Sequence, residues 1–325
     1  MSIPEIVFII PYRDRKTQKF FFCKHMEYIL ENENYQIFFS HQDDKRPFNR
    51  GALKNIGFLA IKEMYPDHYK NITFVFHDID TLPFDKILDY KTKLGIVRHF
   101  YGFDHSLGGI FSINGSDFEE TLGFPTLWGW GMEDSIMQTR CLEARLQIDR
   151  NQFYKIGSPE ILHLFDGVQR IINPGEQINL GKNINNLNMS CLSEMDFSID
   201  IESSNPIDNI FITSNKRIFY INIKNFKTIN KIADHFYKYD LRHPMDKIIK
   251  PNPKDKIFSQ QEASDWTDIP YYPTKEEKKR SVRFSYDTYL PKKQVPLFSA
   301  EYAIVNKIKP RATTSARIGL GGIIK

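Results

Sequence analysis

The sequence predicts an α/β domain with a largely parallel sheet flanked by helices, followed by an irregular α+β appendage. Three observations predict it. Short apolar, β-branched runs alternate with amphipathic segments over residues 5–165, the pattern of repeated β-α units. The first run, residues 5–11, is apolar after Glu5 and stopped by Pro11, as a strand buried on both faces would be. The text then changes: residues 225–325 carry recurrent prolines and 20 Lys+Arg against 11 Asp+Glu, whereas residues 1–224 carry 24 against 29. We therefore expect one domain over 1–224 and an appendage over 225–325, ending in a loose tail from Thr313 to Lys325.

The elements follow in order. After the first strand, Arg13 and Arg15 stand where open α/β sheets bind ligands, although a solvated loop would read the same way. Residues 16–31 form an amphipathic helix with Phe20, Phe21, Met26, Ile29 and Leu30 inward. Residues 35–40 read as a second strand. Asn49 caps a helix whose apolar face is Leu53, Ile56, Gly57, Leu59, Ala60 and Met64. Residues 72–76 form a third strand, and residues 94–100 and 110–113 two more. Ser116 and Glu119 have the spacing of a capping box for a short helix. A helix starting at Glu133 or Asp134 runs to about Leu146, with Ile136, Met137, Cys141 and Leu142 inward. Residues 173–188 are loop, residues 218–223 alternate like an edge strand, and residues 227–240 could form one helix.

Composition narrows the function. A net charge of +4 over 325 residues makes no case for nucleic acid, and no run approaches the length of a membrane span. Three widely spaced cysteines suggest free thiols rather than disulfides or zinc, so a cytoplasmic protein is expected.

Chemistry gathers at two places. Asp78 and Asp80 follow the third strand two residues apart, so alternation sends both to one side. Paired carboxylates there suit a hard divalent cation and, through it, a diphosphate, or else they cap a turn. His77 beside them reads as a packing residue. Residues 123–134 interleave Trp128 and Trp130 with Gly129 and Gly131, then end on Glu133 and Asp134. Tryptophan faces suit the CH face of a sugar, and one carboxylate can hold a hydroxyl while its neighbour takes a proton. The same stretch would also serve as a tight turn capped by acids. His163 lies among apolar residues and reads locally as a core histidine.

Four motifs in this order resemble the beta-1,4-galactosyltransferase family. They are Pro11-Tyr-Arg13-Asp-Arg15; Phe48-Asn49-Arg50 with the following Leu-x-Asn-Ile-Gly-Phe; residues 76–83 around Asp78 and Asp80; and Gly108-Gly109 with residues 123–134. The resemblance covers roughly residues 5–224. It implies a GT-A fold and a metal-dependent, inverting transfer of galactose or N-acetylgalactosamine from a UDP-sugar to a hydroxyl of a glycan or glycoconjugate. By that resemblance Pro11, Arg13, Arg15, Phe48, Asn49, Arg50, Asp78, Asp80, Gly108, Gly109, Trp130 and Gly131 line the nucleotide-sugar site. Trp128, Trp130, Glu133 and Asp134 face the acceptor, with Asp134 the general base. Manganese, or another divalent cation, would sit on Asp80 and His163. The family completes that metal with Met-x-x-His or His-x-His; here the companion of His163 is Glu160 in one frame and Phe165 in the other. Ser106 stands where many members have tyrosine, which leaves more room for a donor sugar. The other reading is a catalytically inactive sugar- or UDP-binding module on the same fold.

Overall fold

The computed structural model describes residues 2–129, 131–164, 169–172, 186–201, 216–232, 240–242 and 256–259. By compactness the chain divides into Met1–Ile257 and Phe258–Lys325. The elements of the first unit are strands β1 (Ile6–Tyr12), β2 (Tyr35–Gln42), β3 (Thr73–His77), β4 (Thr81–Pro83), β5 (Ile96–Gly102), β6 (Ile110–Asn114), β7 (Gln147–Asp149), β8 (Tyr154–Lys155), β9 (Ile161–His163), β10 (Gln169–Ile172), β11 (Ser193–Ile201) and β12 (Ile218–Lys227). Between them run helices α1 (Lys16–Ile29), α2 (Arg50–Met64), α3 (Gly115–Glu120) and α4 (Glu133–Glu143).

The main sheet has the order β11-β12-β2-β1-β3-β6-β5-β7, with β8 also on β5. Strand β1 pairs in parallel with β2 and β3, and β12 pairs in parallel with β2. Strand β6 runs antiparallel between β3 and β5, which makes the sheet mixed but mostly parallel. Period-two alternation sorts β1 into both layers. Val7 and Ile9 join the cluster under α2, while Ile6, Phe8 and Ile10 join the cluster under α1. A strand buried on both faces is why the residues after Glu5 read as an unbroken apolar run up to Pro11.

Several local expectations are corrected. In α1 the buried aromatic is Phe22, and Phe21 points outward. Leu142 of α4 is likewise exposed. The cap of α3 is Asn114, whose side chain accepts from the Ser116 amide, while Glu119 binds Lys62 and Tyr69 on the neighbouring segment. Strand β12 is interior, because β11 covers its outer edge. It also runs through residue 224, where the domain break was expected, and on to Lys227, where a helix was expected to begin. Phe226, Ile232 and Leu241 pack into the cluster under α2. Residues 173–185, nearly all of residues 243–325 and Trp130 lie outside the described residues.

Candidate active site

The carboxyl ends of β1, β2 and β3 and the first turns of α2 and α4 meet at one place. Helix α2 is fixed there by its cap: Asn49 accepts from the Ala52 amide at 2.9 Å, and its own amide donates to Gln42 Oε1 at 2.9 Å. Arg50, in the first turn, then projects across the carboxylates. Its Nη1 donates to Glu133 Oε1 at 2.8 Å and to Asp134 Oδ1 and Oδ2 at 2.9 and 2.8 Å, while Nη2 donates to Asp78 Oδ1. One turn further along α2, Lys54 Nζ donates to Asp134 Oδ1 at 3.1 Å. Lys54 is buried and lies 4.3 Å from the centre of the Phe124 ring.

Electrostatics follow from this arrangement. Burial alone would raise the Asp78 carboxyl, but the charges of Arg50 and Lys54 hold it below the ordinary carboxylate value. Burial would lower the Arg50 guanidinium, yet Asp134, Asp78 and Glu133 raise it well above its usual value, so it is firmly charged. Lys54 is lowered by burial and then by the nearby Arg50. Three carboxylates against two cations leave the cluster anionic. A bare diphosphate would be repelled there, and a divalent cation removes that difficulty.

Arg13 and Phe48, both expected at the nucleotide-sugar site, lie against each other. Arg13 Nη1 donates to the Arg46 carbonyl at 2.7 Å, and the guanidinium lies 5.2 Å from the Phe48 ring centre. Pro11 ends the apolar core of β1, and Arg15 follows Asp14, which has a positive φ of 51°. Gly108 is required by closeness: a Cβ there would come within 2.8 Å of Asp134 Oδ2. Gly109 has a φ of 68°, and its carbonyl accepts from the Asp78 amide at 3.0 Å. The loop over 106–109 thus touches both carboxylate sites.

Asp80 and His163 come together through the pairing of β4 with β9, which sets Thr81 opposite His163. His163 Nε2 lies 3.6 Å from Asp80 Oδ2, a separation two ligands of one cation can adopt, and both side chains are accessible. His163 is therefore not the core histidine it resembles locally. Glu160 is not gathered with them, since no group of three metal-competent side chains exists among the described residues. Two protein ligands plus diphosphate oxygens and water fit the way small divalent cations are held. Phe165 lies outside the described residues, as does Trp130.

Trp128, expected to face an acceptor, is buried. Its ring stacks on Phe226 at 5.2 Å, and its Nε1 donates to Thr228 Oγ1 at 2.8 Å and to the Asn230 carbonyl at 3.1 Å. It anchors the loop ahead of α4 to the end of β12. Gly129 and Gly131 have positive φ of 105° and 117°, and Met132, also positive at 72°, turns the chain into α4. Glu133 and Asp134 thereby occupy the first turn, where the helix dipole also favours negative charge.

Sequence reasoning missed Lys54, the unread position of the Leu-x-Asn-Ile-Gly-Phe motif, and gave Asn55 of that motif no role. Asn55 clamps the backbone of Phe124, accepting from its amide and donating to its carbonyl, both at 2.8 Å. The signal for Lys54 was its place four residues after Arg50, one helical turn along.

The sheet and its flanking helices give a fold of the GT-A class. Two family models match in succession, the N-terminal region of glycosyl transferase group 7 over residues 2–93 and a galactosyltransferase domain over residues 95–164. The chain belongs to the beta-1,4-galactosyltransferase family. It is 31% identical over 169 residues to beta-1,4-galactosyltransferase 7 of Drosophila melanogaster, which covers 48% of this chain and 51% of that one. It is 29% identical over 161 residues to the xylosylprotein 4-beta-galactosyltransferase of Caenorhabditis elegans, covering 46% and 54%. The chain thus spans about half the length of the curated relatives it matches. A crystal structure of the Drosophila galactosyltransferase 7 with manganese, UDP-Gal and xylobiose superposes with a TM-score of 0.54 at 22% identity, covering 74% of this chain and 99% of that one. A second, of its catalytic domain with xylobiose, gives 0.55 at 23% identity with the same coverage.

Proposed function

We propose that the protein is a divalent-metal-dependent, inverting glycosyltransferase that moves galactose, or N-acetylgalactosamine, from a UDP-sugar to a hydroxyl of a glycan or glycoconjugate. The observation that carries this reading is the convergence of Asp134, Glu133 and Asp78 on Arg50 at the carboxyl end of the parallel strands. Asp134 takes the acceptor proton as the acceptor oxygen attacks the anomeric carbon, and the C–O bond to UDP breaks with its electron pair leaving on the diphosphate. Attack opposite the leaving group turns an α donor into a β linkage. Glu133 holds a sugar hydroxyl, while Arg13, Arg15, Phe48 and Arg50 bind the nucleotide. Asp80 and His163 would hold manganese, which when bound supplies positive charge beside the leaving diphosphate.

A purely binding module would have no use for a base held in place by two cations, which speaks against the inactive alternative. The names of the relatives and the xylobiose complex make a β-xyloside the first acceptor to try. Free cysteines at 23, 141 and 191 support a reducing, cytoplasmic setting, which cell fractionation would test. None of the described helices is long and apolar enough to cross a membrane. The appendage was expected from residue 225, but Phe226, Ile232 and Leu241 pack in the main core. We also propose that the chain beyond Arg242 lies outside the transfer chemistry; truncations after Arg242 and after Ile257 would test this through retained turnover.

The test is substitution. Asp134→Asn is expected to abolish transfer while leaving UDP affinity within a few-fold, as measured by calorimetry. Near-normal turnover would overturn the base assignment. Asp80→Ala is expected to remove the manganese dependence of UDP binding.

A further inference from the structure

Arg50 is divided among three carboxylates, and it is also an arginine of the proposed donor pocket. A diphosphate arriving there competes for its guanidinium. Lys54 faces no such competition. It is 1% exposed, its ammonium lies over the Phe124 ring, and it donates to Asp134 Oδ1. We propose that Lys54 is the positioning residue for Asp134: it anchors Oδ1, so that Oδ2 is presented to the acceptor hydroxyl when Arg50 turns to the donor. This inference rests on the reading of Asp134 as the base.

The surroundings agree with that role. The groups facing the carboxylate are Arg50 and Lys54 from α2, Asp78 from the end of β3, Glu133 from its own helix, and His99 of β5 through the Gly108 loop. His99 Nε2 lies within hydrogen-bond distance of the Tyr101 and Gly108 carbonyls, at 3.0 and 3.1 Å, and Nδ1 accepts from Arg150, a pattern that requires a neutral ring. Besides Arg50, only Lys54 brings positive charge to this carboxylate among the described residues. The absence of a side chain at Gly108 leaves room for Oδ2, since a Cβ there would come within 2.8 Å of it. Lys54 touches no reacting atom, so its effect is exerted through Asp134.

The experiment uses the full chain. Lys54→Met keeps the length of the side chain and removes the charge; Lys54→Arg restores a cation; Lys54→Gln is the second neutral variant if Met does not fold. Two quantities are followed: kcat and KM with UDP-Gal, manganese and a β-xyloside, and the urea midpoints of a double-mutant cycle of Lys54→Met with Asp134→Asn. Without the anchor on Oδ1 the carboxylate spends less time in the attacking geometry, so kcat should fall about tenfold or more. KM for UDP-Gal should stay within about twofold, Lys54→Arg should restore kcat, and the two substitutions should not add in the cycle. An unchanged kcat in both neutral variants, or additive effects in the cycle, overturns the proposal. If wild type shows no transfer while the cycle is non-additive, the transferase reading fails and the hold of Lys54 on Asp134 stands.

Discussion

At the scale of single residues, charge decides most of what happens. Arg50 is legible as a site residue because it follows Phe48 and Asn49 in a motif, but its triple pairing is not, since that depends on helix α4 arriving from 83 residues away. Lys54 was invisible for the reverse reason. A lysine inside an apolar helix reads as a solvated face, and only the fold shows it buried against Asp134. The tryptophan reading failed at Trp128 because a large aromatic has more area to bury in the core than to offer a sugar, and Phe226, a hundred residues away, supplies the stacking partner. His99 carries a pH prediction. Burial, with Arg150 next, lowers its imidazole from 6.5 to about 4, so between those values the unfolded chain binds the extra proton. Stability is therefore complete above about pH 6.5 and falls as pH drops toward 4, by on the order of 3 kcal/mol. Urea denaturation at pH 7.5 and 5 should show a smaller loss for His99→Gln than for wild type.

At the scale of elements, the site is made by two helix starts and the loop that joins them in space. Helix α2 lies so close to that loop that a Cβ on Gly51 would come within 2.0 Å of the Pro125 carbonyl oxygen. Gly51→Ala must push them apart and is expected to destabilise the protein by about 1–3 kcal/mol, the usual cost of overpacking. Asn55→Leu strands a buried amide and carbonyl of Phe124, and the expected loss is of similar size, about 1–3 kcal/mol per unsatisfied group. Chemical denaturation measures both; a Gly51→Ala protein as stable as wild type would mean that the helix and loop do not pack this closely. The strands and helices of the first 165 residues were readable because each buries an apolar run with its own period. Strand β11 was not anticipated, although Phe197 and Ile199 alternate with polar residues as a half-buried strand would. Asn, Gly and charged neighbours obscured it, and with it the interior position of β12.

At the scale of the whole molecule, a mostly parallel sheet puts its ligand-binding edge at the carboxyl ends of β1, β2 and β3, and every candidate donor and acceptor residue that the structure describes lies along that edge or on the elements that pack over it. The family was legible from four ordered motifs, several of whose residues meet in the Arg50 cluster although they lie far apart in the chain. Both proposed metal ligands were named from the sequence, Asp80 by its motif and His163 by the frame of the family pattern; what the sequence could not show is their meeting, which the β4–β9 pairing makes. His163→Ala is expected to weaken manganese-dependent UDP binding by tenfold or more without changing the fold, as read by calorimetry with and without the metal. The most direct measurement is UDP release from UDP-Gal in the presence of a β-xyloside, with and without manganese, for wild type beside Asp134→Asn. Manganese-dependent release in wild type and at least a hundredfold less in Asp134→Asn is the expected result. Equal release by the two proteins would contradict the assignment of the base, and with it the mechanism argued from the Arg50 cluster.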